Sequence, residues 1–348
     1  MRIDRSVRAR SAAASVLLSV LVLGGCAGDP GPASSAPDGP STVTFALDWA
    51  PNTNHVGVYV ADALGYFEEE GIDLEILPYG STSVAELVSA GSADFGMVGQ
   101  ASVLLGRTAG RDIVSVYSVT TRDTGRLVYL ADRDDISRPA DLDGLVFGGF
   151  GSPLYAAYVD TVIRGDGGEG DFDEVVLDTG AYEALSQGRI DFTLSVATWE
   201  NLQAEIDGHP YAEFRYQDYG LPEQQSTGIV SSDAYLATHE DEAEGFVAAV
   251  QRGYAYAAEH PDEAADILVA AEPDTLGTAE ELVRRSTDLL ASGGYLVPEE
   301  GAPGAADPQV WAEFGRFLVE QGFLTDAAGE AVTDEPEWSA YYTNEYLP

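Results

Sequence analysis

Five residues able to grip a ligand crowd one short stretch, LDWAPNTNHVGVYV: Asp48, Trp49, Asn52, Asn54 and His55. They stand where an apolar run, TVTFAL, gives out. An indole offers a flat face for stacking, an amide both donates and accepts, and a carboxylate takes N–H bonds. Grouped, these types suit a small flat heterocycle held by its face and its edge. Each also has an ordinary use. Trp49 could fill a core, and Asp48 could cap a helix or shape a turn. Asn52 and Asn54 could merely shape the PNTN loop, and His55 could be a structural hydrogen bonder at a helix start.

The elements around the cluster put it at the tip of a strand. TVTFALDW is rich in β-branched and aromatic residues and reads as a strand. In HVGVYVADALGYFEEEG the apolar spacing of Val56, Tyr59, Val60, Leu64 and Phe67 predicts a helix running to Gly71. IDLEILPYG is the next strand, followed by a helix at SVAELVSAG, the strand ADFGMVG, a helix at ASVLLGRTAG and the strand DIVSVYSVT. The pattern then restarts. LVFGGF, FDEVVLD and RIDFTLSV read as strands, alternating with helices from Leu154, at GAYEALSQG and at ATWENLQAEI. AEFRYQDYG and STGIVSSDAYL read as strands returning toward the first unit, and beyond Ala237 the chain turns helical.

Strand alternating with helix calls for an α/β fold with largely parallel sheets. The expectation is two βαβ lobes joined by two crossing strands, with residues 42–125 and 226–348 in lobe 1 and 126–225 in lobe 2. In such sheets ligands bind beyond the carboxyl ends of the strands. Turns from strand into helix also present free backbone N–H groups there. That adds Gly99 and Gln100, with Ser102, in VGQAS, and Gly151 and Ser152, with Pro153, in GFGSP.

The first 25 residues read as an address. Arg2, Arg5, Arg8 and Arg10 precede AAASVLLSVLVLGG, 14 residues against the roughly 20 that a membrane span needs. This is the pattern of a signal peptide. It runs into LGGC, a lipobox, so Cys26 is the expected lipidation site. It is the only cysteine, which excludes a disulfide within the chain. Two acyl chains anchor a protein stably where one does not. Residues 26–41, rich in Pro, Gly and Ser, read as a flexible tether. The expected location is the extracytoplasmic face of the cell membrane, with the membrane touched through the lipid alone.

Charge excludes more than it identifies. Taking away residues 1–25, with their four Arg and Asp4, leaves 13 basic against 58 acidic residues, a net charge of −45, and the chain has no lysine. A nucleic-acid partner is ruled out, because phosphate contacts need Lys and Arg. The acidity reads as a solvated, aggregation-resistant surface. His55, His209, His239 and His260 are scattered without metal-ligand spacing, and no metal or cofactor is expected.

Long motifs carry a resemblance. LDWAPNTNHVGVYVADALGYFEEEGIDLEI at the start and WAEFGRFLVEQGFLTDAAGEAVTDEPEWSAYYTNEYLP at the end resemble solute-binding lipoproteins for thiamine-pyrimidine precursors. Those proteins share a superfamily with sulfonate and nitrate binders and with fungal thiamine-pyrimidine synthase. ADFGMVGQ, GLVFGGFGSP and GRIDFTLSVATWENLQAE fall between them in family order, so the resemblance covers the chain after residue 41.

The resemblance implies the type II periplasmic-binding-protein fold, a monomer that hands a small molecule to an ABC importer permease, and a binding rather than a catalytic role. It also implies Glu200, beside Trp199 in TWEN, as a carboxylate contact from the second lobe. A glutamate at a helix start also gains from the dipole with no ligand present. The implied ligand is a formylaminopyrimidine or hydroxymethylpyrimidine, with riboflavin, a sulfonate or another flat nutrient as alternatives. The synthase alternative requires a lysine for its cofactor and a cysteine-rich iron motif, and this sequence has neither.

Overall fold

A computed structural model describes residues 39–298 and 301–348. The expected signal peptide, Cys26 and most of the expected tether lie outside the described residues. The two rounds of strand and helix build two five-stranded sheets. The first contains β1 (Ser41–Ala46), β2 (Ile72–Leu77), β3 (Phe95–Val98), β4 (Val114–Ser118) and β10 (Gly228–Ser231), in the order β2-β1-β3-β10-β4. Ser41, placed in the tether by the sequence reading, is the first residue of β1. The second contains β5 (Gly125–Leu130), β6 (Val146–Gly149), β7 (Asp173–Val176), β8 (Phe192–Val196) and β9 (Tyr211–Arg215), in the order β7-β6-β8-β5-β9.

Each sheet is mixed. β1 runs parallel to β2 and β3, and β6 runs parallel to β7 and β8. The strands adjoining the crossings, β10 and β5, run antiparallel to their neighbours. The chain leaves the first sheet after Ser118, enters the second at Gly125, and returns between Arg215 and Gly228. The crossing segments are irregular rather than strands, yet they are tied together. The Val119 and Thr120 N–H groups donate to the Thr227 carbonyl at 2.9 and 3.1 Å. The Thr227 N–H in turn donates to Thr120 Oγ1 at 3.0 Å.

Three elements differ from the sequence reading. AEFRYQDYG does not return to the first lobe; β9 stays at the edge of the second sheet, where Phe214 stacks on Tyr129 at 5.2 Å. The return is made by β10, and the tail of STGIVSSDAYL is a helical turn, Asp233–Leu236, capped by the Ser232 hydroxyl. The helix expected to reach Gly71 breaks after Ala63, where Gly65 adopts φ +74°, and resumes over Tyr66–Glu69. Only glycine takes that left-handed geometry without strain.

The first lobe's core is aromatic. Phe246, on the helix Glu240–Glu259, stacks on Phe95 at 3.9 Å and meets Phe45 and Phe67. The helix Val56–Ala63 crosses the same long helix at close range. A Cβ on Gly57 would lie 2.3 Å from the Tyr254 ring, and one on Gly253 would lie 2.0 Å from the Gly57 carbonyl. That contact seats the loop after β1 on rigid structure. Among the described residues no helix is long and apolar enough to cross a membrane.

Candidate functional site

The carboxyl ends of the parallel strands carry the candidate residues on both lobes. Asp48 and Trp49 follow β1, Tyr79 follows β2, and Gly99 and Gln100 follow β3. Phe150, Gly151 and Ser152 follow β6, Tyr182 lies on the helix after β7, and Trp199 and Glu200 follow β8. Ligands of open α/β sheets sit beyond such ends.

On the first lobe, Asp48, Asn52 and His55 form one hydrogen-bonded unit. Asn52 caps the short helical turn Thr53–His55, its Oδ1 accepting the Asn54 N–H at 2.9 Å. His55 Nδ1 lies 3.2 Å from the Asn52 backbone N–H, and His55 Nε2 lies 2.9 Å from Asp48 Oδ1. His55 is fully buried, whereas the Asp48 side chain is 36% exposed. Asn54 anchors the loop through its carbonyl, which accepts from the Tyr254 hydroxyl at 2.6 Å. Trp49 is not core. It is 47% exposed, and its ring lies 5.1 Å from Tyr79, itself half exposed. Two exposed rings thus lie together, one of them next in the chain to Asp48.

The turns into helices have mixed fates. Gly99 caps the helix Gln100–Thr108, and a Cβ there would meet the Ser226 carbonyl at 3.1 Å. Gln100 is buried, and its Oε1 accepts the Gln225 N–H at 2.9 Å, so it ties the helix start to the second crossing. Gly151 adopts φ +71° beside Val176, and Ser152 caps the helix Pro153–Gly165 without a side-chain hydrogen bond.

On the second lobe, Glu200 opens the helix Glu200–Ile206 and its Oε2 accepts the Val196 N–H at 2.9 Å. Burial pushes this carboxyl above its ordinary range, against the backbone bond that lowers it. Tyrosines crowd it. Burial, then the charge on Glu200, raises the Tyr182 hydroxyl, and the same two causes push Tyr211 up to about 12. Tyr182 faces Phe150 at 6.3 Å, and Phe150 faces Tyr155 at 6.1 Å. Tyr155 is raised by burial and then by Asp123, a buried carboxylate in the first crossing. Asp123 accepts from the Gly125 N–H and from the Gln217 and Gln224 amides. Asp178, after β7, is the one non-glycine residue with positive φ among the described residues, at 53°. Such backbone collects at binding sites.

A chain of buried hydroxyls joins the two walls. Thr53 Oγ1, from the PNTN loop, lies 2.6 Å from Ser286 Oγ, and the Ser286 hydroxyl donates to the Thr198 carbonyl in the ATWEN turn. Trp199 packs against the first lobe's core from the same turn. A surface hollow of about 560 Å³ lies elsewhere, lined by Arg107, Asp233, Leu236, Tyr342 and Asn344. Its Arg107 is already paired with Asp233 at 2.8 Å, and the one further charged residue in its lining is Glu345. The strand ends are the better site.

Sequence reasoning missed Tyr79, Phe150, Tyr155, Tyr182, Asp123 and Ser286. The first four follow from the strand-end rule already applied to their neighbours. Ser286, inside the helix Glu280–Ser292, and Asp123, in a crossing, carry no local signal.

Comparison with known proteins places this geometry. The pattern of the NMT1/THI5-like family matches residues 52–264. A formylaminopyrimidine-binding protein of Halalkalibacterium halodurans is 30% identical over 333 residues, 92% of this chain and 98% of that protein. A 4-amino-5-hydroxymethyl-2-methylpyrimidine phosphate synthase of Candida albicans is 25% identical over 278 residues, 79% of this chain and 71% of that one. The periplasmic aliphatic sulphonate binding protein SsuA of Escherichia coli superposes with a TM-score of 0.67 at 15% identity, covering 89% of this chain and all of that one. The fold is therefore the two-lobed type II periplasmic-binding-protein fold.

Proposed function

The chain belongs to the NMT1/THI5-like family, and from that premise we propose that it is the solute-binding lipoprotein of an ABC importer, receiving a thiamine pyrimidine precursor between its lobes. The observation that carries this reading is that the carboxyl ends of parallel strands in both lobes carry aromatic rings and a carboxylate. Trp49 and Tyr79 stand beside Asp48 on one lobe, and Glu200 stands among tyrosines on the other.

An aminopyrimidine is flat and carries N–H donors beside ring nitrogens. Stacking on Trp49 uses its face, and Asp48 and Glu200 take its edges. Charge-assisted bonds of this kind are about twice as strong as neutral ones. A ligand touching both lobes binds the closed arrangement better than the open one, which is the differential affinity that closure requires. Lipid on Cys26 keeps the domain at the extracytoplasmic face, where a permease can read the closed shape. Gly99, Gly151 and Ser152 line the strand ends as lesser contacts. Lobe 2, residues 126–225, is the moving half, and it turns on the crossing residues 119–124 and 226–227.

A binding role is favoured over synthesis by the residues themselves. The related synthases need a lysine to hold their cofactor, and this chain has none.

Calorimetry of the purified protein with 4-amino-5-hydroxymethyl-2-methylpyrimidine, its formylaminopyrimidine counterpart, riboflavin and an alkanesulfonate tests the ligand class. Binding of either aminopyrimidine supports the reading; binding of the sulfonate or riboflavin alone overturns it. Labelling of the cell-bound protein by fatty acid, and its loss in Cys26→Ala, tests the anchor.

A further inference from the structure

We infer that His55 is a positioning residue: it fixes the Asp48 carboxylate as an acceptor at the end of β1 and thereby selects a ligand edge that bears N–H donors. The inference rests on the reading of Asp48 as a ligand contact and adds how that contact is set.

The Asn52 backbone N–H has a role without ambiguity. A backbone N–H can only donate, so the Asn52 N–H, 3.2 Å from His55 Nδ1, makes that nitrogen the acceptor. The ring's one proton then sits on Nε2, and Nε2–H donates to Asp48 Oδ1 at 2.9 Å. The ring is fully buried, so it cannot turn to exchange these roles without breaking both bonds. Its loop is held from below by the Tyr254 hydroxyl on the Asn54 carbonyl.

The consequence falls on Asp48. One oxygen is committed to His55, and the other has no hydrogen-bond partner among the described residues on a side chain 36% exposed. Beside it stands the exposed Trp49–Tyr79 face. A ring stacked there with its edge toward Asp48 meets an acceptor. An amino group satisfies it, whereas a carbonyl or sulfonate oxygen is repelled and leaves the carboxylate unpaired. Sites built around a fixed hydrogen bond reject the wrong partner far more strongly than apolar pockets do. Glu200, whose own bond is to the Val196 N–H, presents the same polarity from the other lobe.

Two substitutions separate positioning from mere loop support. His55→Asn places an acceptor where Nδ1 stands, keeping the Asn52 bond and losing the bond to Asp48. His55→Gln reaches the Nε2 position with an N–H, keeping the bond to Asp48 and losing that to Asn52. Calorimetry with 4-amino-5-hydroxymethyl-2-methylpyrimidine and its 4-oxo analogue should find His55→Gln within about threefold of the unsubstituted protein. His55→Asn should bind the amino compound about tenfold more weakly and discriminate less against the oxo compound. If His55→Asn binds as well as His55→Gln, the ring only supports the loop and the inference falls. A ligand-free arm uses ¹⁵N NMR of the unsubstituted protein: a proton on Nε2 supports the inference, and one on Nδ1 overturns it. If no pyrimidine binds but the proton is on Nε2, the function reading fails and the positioning of Asp48 stands.

Discussion

Ser286 lies on the helix Glu280–Ser292 and Thr198 in the turn after β8, 88 residues away in the chain, yet the Ser286 hydroxyl donates to the Thr198 carbonyl. A carbonyl can only accept, so the Ser286 proton is committed, and Thr53 must donate to Ser286 Oγ across 2.6 Å. All three residues are buried. One hydroxyl therefore joins the two loops that carry the candidate ligand contacts, PNTN and ATWEN. The Arg285–Glu205 ion pair beside it also spans the lobes but is exposed.

The first prediction weighs these two bridges. Ser286→Ala leaves a buried carbonyl and a buried hydroxyl without partners, a loss of about 1–3 kcal/mol in urea unfolding. Arg285→Ala should cost less than about 1 kcal/mol, because exposed pairs are screened and entropically expensive. Equal losses would mean that the surface pair, not the hydroxyl chain, holds the lobes.

Trp49 and Tyr79 are exposed rings that contribute little to the fold but stand open at the strand ends. Trp49→Ala should shift unfolding by no more than about 0.5 kcal/mol. Aminopyrimidine affinity should fall about tenfold or more in calorimetry, with Tyr79→Ala giving a smaller loss. A large stability loss with unchanged affinity would return Trp49 to a structural role.

The period of the apolar residues was enough to read the α/β architecture, because alternating strands and helices leave few ways to bury their faces. What it could not show was where a short strand pairs. AEFRYQDYG belongs to the second sheet through the contact of Phe214 with Tyr129, a long-range packing fact with no local trace. The first-lobe cluster was legible since five polar or aromatic residues at one strand tip is an unusual density. Its internal wiring was not: the roles of Asn52 and His55 as cap and brace depend on a helical turn only three residues long. Ser286 and Asp123 were invisible for a simpler reason. One lies mid-helix and the other in a crossing, and Thr53 and Thr198 for Ser286, like Gln217 and Gln224 for Asp123, are far away in the chain.

Gly57 tests whether the core positions the site. A methyl group there would lie 2.3 Å from the Tyr254 ring, whose hydroxyl anchors the Asn54 carbonyl. Gly57→Ala should lower stability by about 1–3 kcal/mol, the usual cost of overpacking. Ligand affinity should fall as well, although residue 57 lies in the core rather than at the strand tip. Lost stability with full affinity would show the loop to be independent of that helix crossing.

Salt dependence follows from composition. With 13 basic and 58 acidic residues after residue 25, like charges repel across the folded surface. Raising ionic strength from about 0.01 to 0.15 M shortens the screening length from about 30 to 8 Å. The melting temperature should rise by several degrees over that range. A flat or falling trend in calorimetric scans would mean that the ion pairs outweigh the repulsion.

Glu200 links stability and binding with opposite signs. Burial raises its carboxyl above the ordinary range, so the folded chain holds this proton more tightly than the unfolded chain does. Between the ordinary glutamate value and the raised one, the native state carries more protons, and stability falls as pH rises through that window. Above it, ionised Glu200 is a standing cost that a ligand N–H would offset. Glu200→Gln removes the charge, and its amide oxygen can still accept the Val196 N–H. The variant should be more stable than the unsubstituted protein at neutral pH, equal to it in acid below the ordinary glutamate value, and flatter in between. Its affinity for an aminopyrimidine should drop about tenfold, as a charge-assisted bond becomes a neutral one. Urea unfolding from pH 4 to 8 on both proteins, with calorimetry at pH 7.5, reads both effects. If the difference in stability instead grows toward acid, the Glu200 carboxyl is stabilised as the anion in the empty protein, and it is not being held in reserve for a donor.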